Sequence, residues 1–293
     1  MLDLNDWSPG TNAVRSQQVV TWQPGGGRIC DDGYMVEVEG EAAVAIVHAL
    51  GPVESVLLMR RSERQDDPWS GQWSLPGGRR DPGDRDLLAT ALRELQEECG
   101  LTLRREQMEQ ALPQRLARRR TPPYLTVAPF VFRVETQLPT RLDEREAVTA
   151  LWAPVAMLRD RRRHALGPVP GRPAWTLFPG IALEGAPLWG FTYRLLEDWL
   201  GLSADAAAGP QAAQAILDFL AAGGCAVERE WAGREAVVHS AIPAETVLAH
   251  FSEPGNLHPA INCLEASPEM VRMMGPEWEE YRIRAMAHGA ERG

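Results

Sequence analysis

Residues 78–101 read GRRDPGDRDLLATALRELQEECGL, and this stretch decides what the rest of the chain must be. Leu88, Ala91, Leu92, Leu95 and Cys99 recur at helical spacing, so Leu87 to Cys99 is expected to be an amphipathic helix, with Gly100 placed to end it. Glu94, Glu97 and Glu98 stand at i, i+3 and i+4 on one face, where like charges repel one another. An acidic triplet alone is usually a solvated helix face. Here Arg93 stands beside it, turns at Pro76-Gly77-Gly78 and Asp81-Pro82-Gly83-Asp84 precede it, and strands are expected on both sides. That context points to a hard divalent cation such as Mg²⁺, which takes oxygen ligands and keeps waters for a phosphate group. Arg93 is placed to orient one of the carboxylates through a bidentate pair.

The segment resembles the Nudix box, GX5EX7REUXEEXGU with U aliphatic. Arg93-Glu94-Leu95-Gln96-Glu97-Glu98-Cys99-Gly100-Leu101 matches its second half at every specified position. The first half departs from it, because Asp84 stands where Glu is expected and eight residues rather than seven separate it from Arg93. That extra residue is similar to the coenzyme A pyrophosphatase branch, whose boxes look like GGxxDPxDxxxxxTALREAxEExGL. Leu57-Leu58-Met59-Arg60-Arg61-Ser62, continuing to Gly71 and Leu75-Pro76-Gly77-Gly78, resembles that branch's LLTxR[SA]x3Rx3Gx3FPGG. It departs by Met59 for Thr, Leu75 for Phe, one inserted residue, and Asp66 or Asp67 where Arg is expected. Leu188-Trp189-Gly190-Phe191-Thr192-Tyr193 is similar to the branch's closing WGxT helix.

The resemblance, covering roughly residues 36 to 202, implies an α/β fold: a Nudix-type α/β/α sandwich with a mixed sheet, here followed by a small C-terminal α+β appendix. It implies Mg²⁺ or Mn²⁺ as cofactor, held by Glu94, Glu97, Glu98 and the Gly78 carbonyl. The implied reaction is hydrolysis of the pyrophosphate bond of a nucleoside diphosphate linked to another moiety. Coenzyme A or an acyl derivative is the preferred substrate, giving 3′,5′-ADP and phosphopantetheine. An ADP-ribose or dinucleotide pyrophosphatase is the alternative within enzymes, and a non-catalytic Nudix-fold nucleotide sensor the alternative outside them. Glu97 or Glu146 would take the proton, with Arg93 completing the catalytic group. Arg60 and Arg61, at the end of a strand feeding the Pro76–Gly78 turn, are expected to bind substrate together with Gly77 and Trp73, the latter by stacking on adenine. The Arg runs at Arg115, Arg118, Arg119, Arg120 and at Arg159, Arg161, Arg162, Arg163 are further candidates for gripping a terminal phosphate, although charge runs are usually solvated.

Working outward, Tyr34 to Val38, Ala43 to Leu50, Ser55 to Arg60, Leu125 to Val134 and Val148 to Trp152 read as strands, and Leu188 to Leu200 as a helix. The expected organisation is an irregular arm over residues 1–33, the hydrolase domain over 34–202, a linker over 203–210 and an accessory α+β segment over 211–293, dispensable for hydrolysis. In that segment the pattern gives helices at Ala212 to Ala222 and Ala244 to Phe251, and strands at Glu235 to Ala241 and Glu279 to Met286.

Composition supplies the exclusions. With 44% hydrophobic and 24% charged residues the chain can build a core. Its formal charge of −10, with Arg as every basic residue, argues against nonspecific nucleic-acid binding. Any anion must be held by local Arg groups or a metal. Cys30, Cys99, Cys225 and Cys263 form no CxxC pair, so neither a zinc knuckle nor a disulfide framework is expected. No apolar stretch approaches the roughly 20 residues of a membrane helix, and a cytoplasmic location with a nucleotide substrate, no membrane and a possible homodimer partner is the expectation. The bias to Ala, Arg, Gly and Pro without Lys is that of a GC-rich bacterial coding sequence.

Overall fold

The computed structural model of the chain describes residues 28–31, 34–65, 69–117, 124–227 and 231–286. Most of the expected N-terminal arm lies outside the described residues, as do Asp66, Asp67 and Arg118 to Arg120. Within the arm, Arg28–Asp31 forms strand β1, paired antiparallel with β2 (Tyr34–Gly51). Then come β3 (Ser55–Arg61), β4 (Trp73–Ser74), β5 (Gly77–Arg79), helix α1 (Leu87–Cys99), β6 (Met108–Ala111), β7 (Arg115–Leu116), β8 (Tyr124–Thr136) and β9 (Ala147–Pro154). They form one mixed sheet with the path β4-β3-β2-β8-β6, β9 lying on β3 and β5 on β2. The two strands expected before residue 51 are one, because the parallel ladder between β2 and β8 runs from Val38 opposite Tyr124 to Gly51 opposite Thr136.

Over residues 42–49 β2 is buried on both faces, as a central strand must be. Ala43, Ala45, Val47 and Ala49 face a cluster with Leu88, Ala91, Leu95 and Cys99 of α1, while Ile46 faces the opposite cluster. That second cluster holds Val155 and Leu158 of α2 (Val155–Arg159) and Tyr193, Leu195, Leu196 and Leu200 of α3 (Gly190–Leu200). The result is the α/β/α sandwich: α1, the sheet, then α2 and α3. Leu95, with no exposed surface, alone removes enough apolar area to contribute roughly 2 kcal/mol.

A second sheet follows the path β10-β11-β14-β15-β16-β13, with β12 on β11. Its strands are β10 (His164–Pro168), β11 (Thr176–Ala182), β12 (Pro187–Trp189), β13 (Glu235–Val238), β14 (Cys263–Ser267), β15 (Met270–Met274) and β16 (Glu280–Ala285). Helices α4 (Gly209–Ala222) and α5 (Ala244–Ser252) pack on it through Ala212, Ile216, Leu220, Val247 and Phe251. β11 pairs with β14 at Thr176–Glu265 and Leu177–Leu264, and Leu166 and Leu177 belong to the core built by α4 and α5. The stretch expected as a linker therefore lies between parts of one sheet. Removing everything after residue 202 would strip β11 of β14 and uncover Leu166 and Leu177, which argues against a dispensable appendix.

A buried polar cluster joins α3 to the edge strand β10. The His164 ring stands 2.7 Å from the Tyr193 hydroxyl through Nδ1 and 2.9 Å from the Leu158 carbonyl through Nε2. Tyr193 donates to Glu197 at 3.0 Å and Arg161 donates to the same oxygen at 2.6 Å. Arg159 donates to the Leu200 carbonyl at 2.9 Å, satisfying the last carbonyl of α3, where cations are favoured by the helix dipole, and Arg161 also donates to the Leu202 carbonyl just beyond the helix. Arg162 and Arg163 pair with Asp160, and Arg115 with Asp198. These pairings account for the described Arg-run residues in the fold. Among the described residues no helix is long and apolar enough to cross a membrane. Cys99, Cys225 and Cys263 are buried.

Candidate active site

Asp86 caps the first turn of α1, accepting from the Ala89 N–H at 2.8 Å, and Arg105 grips the Asp86 carboxylate with two nitrogens at 3.0 and 2.9 Å. Gly100 closes the helix at φ 68°, a conformation glycine adopts without strain. Asp84, before the cap, accepts from Thr90 at 2.9 Å and from Arg93 at 3.0 to 3.3 Å, and Arg93 holds its carboxyl down to about 2. The shorter acid reaches because its backbone N–H turns back to the Asp81 carbonyl at 2.9 Å. Arg93 continues to Glu94 at 3.0 Å, Glu97 at 2.8 Å and the Arg79 carbonyl at 3.1 Å. It is therefore the hub of the acidic face rather than the partner of one carboxylate.

Glu98 is only 5% exposed and accepts from the Gly77 N–H at 2.8 Å. Burial pushes its carboxyl up to about 8; the Gly77 N–H and the Arg61 charge act the other way, and Glu94 and Glu146 push it further up. Glu94 is also raised by burial, against the pull of Arg93. A Cβ on Gly77 would come within 2.7 Å of the Val44 Cα, so that close approach requires glycine, while one on Gly78 would fall 2.6 Å from the Glu94 carboxyl carbon, which packs directly on this backbone. Glu97 is the outermost of the three, its side chain 58% exposed. Among the described residues no three His, Cys, Asp or Glu side chains converge as a ready-made cage. Glu94 and Glu97 turn to Arg93, and Glu98 to Gly77. Even so, a carboxylate buried on one amide among its like, beside a glycine cradle with no room for a methyl group, fits a divalent cation.

Glu146 reaches this group from the loop before β9. The loop is tied to the end of α1 by the Arg141 N–H to Cys99 carbonyl bond at 2.9 Å and the Asp143 N–H to Glu98 carbonyl bond at 3.1 Å. Arg60 and Arg61, expected to act together, face opposite ways. Side chains alternate along β3: Leu57 and Met59 join the α1 cluster and Val56 and Leu58 the α3 cluster, so Arg61 points toward Glu98 and Arg60 away. Arg60 lies against Gly185, where a Cβ would fall 2.8 Å from its guanidinium carbon. Trp73 is 4% exposed and donates its indole N–H to the Glu184 carbonyl at 3.2 Å. That burial corrects the expected stacking role, because the ring faces are spent on the core. Arg64 and Thr90, which hold Glu146 and Asp84, were not among the expected site residues. Thr90 lay within the quoted helix, but nothing local marks Arg64, whose partner is 82 residues away.

The β5–turn–α1 arrangement, with Gly77 and Gly78 against the carboxylates, is the structural context the box motif requires, and residues 40–170 match the family model of the NUDIX domain. The chain carries a Nudix domain. Over 110 residues it is 40% identical to the uncharacterized protein C14C4.10c of Schizosaccharomyces pombe, covering 36% of this chain and 33% of that one. Over 54 residues it is 46% identical to the mitochondrial coenzyme A diphosphatase NUDT8 of Mus musculus, covering 18% of this chain and 26% of that one. The chain thus matches about a quarter to a third of the length of these curated relatives. The Nudix domain of Shewanella oneidensis NrtR, solved with ADP ribose, overlays at 22% identity and a TM-score of 0.34, covering 41% of this chain and 75% of that one.

Proposed function

We propose that the Nudix domain of this chain hydrolyses the pyrophosphate bond of a nucleoside diphosphate derivative, with coenzyme A or acyl-coenzyme A as the preferred substrate. The observation that carries the reading is Glu98, a buried carboxylate that accepts from the Gly77 N–H at 2.8 Å and is set among Glu94, Glu146 and the Arg61 charge beside the Gly77–Gly78 turn. Glu94, Glu97, Glu98 and the Gly78 carbonyl would hold Mg²⁺ or Mn²⁺. When bound, the ion neutralises phosphate charge and acidifies water. Arg93 keeps the acidic side chains in place through Asp84, and Arg61 adds positive charge on the same face. A water oxygen bonds to one phosphorus as the bridging P–O bond breaks. Glu146 takes the water's proton, Glu97 being the other carboxylate able to do so. From coenzyme A the products are 3′,5′-ADP and phosphopantetheine.

Two supports favour coenzyme A: the upstream stretch Leu57 to Ser62 with its branch-like pattern, and the likeness to a coenzyme A diphosphatase over 54 residues. The protein should be incubated with Mg²⁺ or Mn²⁺ and coenzyme A, dephospho-coenzyme A, ADP-ribose and NADH, and the products separated by chromatography. 3′,5′-ADP is expected to form fastest. Preferential cleavage of ADP-ribose or NADH would move the assignment to those substrates. Binding across the panel without turnover would make the domain a nucleotide sensor.

A further inference from the structure

We infer that Arg64 is the positioning residue for Glu146, an inference that rests on the hydrolase reading above. β3 ends at Arg61, and Ser62 and Arg64 just beyond it grip the loop that carries Glu146. The Ser62 N–H donates to the Glu146 carbonyl at 2.9 Å, and the Ser62 hydroxyl to the Glu144 carbonyl at 2.9 Å. The Arg64 guanidinium donates through one nitrogen to the Arg145 carbonyl and to Glu146 Oε1, the latter at 3.0 Å. The Arg64 backbone is held in turn, its N–H donating to the Ser70 hydroxyl at 2.8 Å.

From the other side, the Arg141 and Asp143 bonds tie the same loop to the last turn of α1. The Glu146 backbone is thus pinned between β3 and α1, which leaves its side-chain direction to be decided. A guanidinium nitrogen that joins a backbone carbonyl to Oε1 decides it, since its two N–H bonds diverge at a fixed angle in the guanidinium plane. Oε2 is then the oxygen left to take the proton from water.

Both side chains are well exposed, Arg64 at 45% and Glu146 at 37%. A pair at such exposure contributes about 0–1 kcal/mol to folding. Its loss should therefore appear in the chemical step and hardly in stability.

The test uses the full chain with Arg64→Ala, Arg64→Lys, Glu146→Gln and the double variant Arg64→Ala/Glu146→Gln, reading kcat and KM on coenzyme A together with Tm. Arg64→Ala should lower kcat by about 10- to 100-fold, the scale of a misplaced catalytic group. KM and Tm should stay close to wild type, and Arg64→Lys should recover part of kcat. The double variant should be no slower than Glu146→Gln, because the two changes remove one interaction. A raised KM at unchanged kcat would make Arg64 a substrate contact, and losses that multiply in the double variant would make it independent of Glu146; either overturns the inference. If Glu146→Gln is slow and Arg64→Ala is not, Arg64 alone loses its role. If the wild type cleaves nothing in the panel, or Glu146→Gln keeps full kcat, the hydrolase reading or its base falls and this inference falls with it.

Discussion

Glu98 and Glu197 are both carboxylates that folding takes out of water, 5% and 8% exposed, and burial pushes both upward. Glu197, on α3, is answered by the Arg161 guanidinium and the Tyr193 hydroxyl on one oxygen. Glu98, on α1, receives one backbone N–H and stands near two further carboxylates, with the charge of Arg61 set against them. The same desolvation thus has opposite meanings. A buried acid supplied with charge and donors is part of the scaffold, whereas one left short among its like is where a cation belongs.

Replacing each glutamate breaks or sharpens that contrast. Glu98→Gln keeps side-chain size and removes one charge from a crowded face, so kcat should fall by about 10² or more. Tm should hold or rise, and Mg²⁺ titration should show weaker binding. Unchanged kcat with unchanged metal dependence would remove α1 from the active site. Glu197→Ala should do the reverse, costing about 2–4 kcal/mol in denaturant unfolding with kcat retained by the folded fraction. The lower part of the range for broken buried pairs applies, because Arg161 is 34% exposed and can turn to water.

His164, in the same cluster as Glu197, gives a smaller effect with a defined sign. Burial holds its imidazole below the usual value, so the unfolded chain accepts a proton that the folded chain resists. Stability should be full above about pH 6.5 and decline as pH falls below it. Melting curves between pH 7.5 and 5 should show His164→Gln less stable at the upper end but with a shallower decline. Parallel curves would mean that His164 titrates normally. The smallest change is expected at Glu109, on β6 outside the acidic face and paired at 3.5 Å with an exposed Arg133. Glu109→Gln should leave kcat unaltered and stability within about 0.5 kcal/mol.

The α1 side of the contrast was legible in the sequence because its signals are local. Leu88 to Cys99 carry the helical period, Gly100 the stop, and Glu94, Glu97 and Glu98 their shared face, all within a few turns of chain. The strands from Ser55 to Arg61 and Tyr124 to Thr136 were legible for a similar reason, as apolar runs between turn residues. β14 and β15 were not read, although they complete the sheet that β10 and β11 begin. Their pairing joins Leu177 to Leu264, which no local pattern reports.

By itself, then, the sequence determined the carboxylate helix, its cap and turns, and the domain that these identify. Side-chain spacing along a helix is fixed by covalent geometry and the 3.6-residue turn. Only the tertiary structure decided that Arg60 and Arg61 part to opposite faces, that Trp73 is core, that Arg159 satisfies the last carbonyl of α3 and Arg161 meets Glu197, and that Arg64 meets Glu146. Each depends on which distant strand or loop comes alongside, and a guanidinium goes to whichever carboxylate or carbonyl the fold brings within about 3 Å.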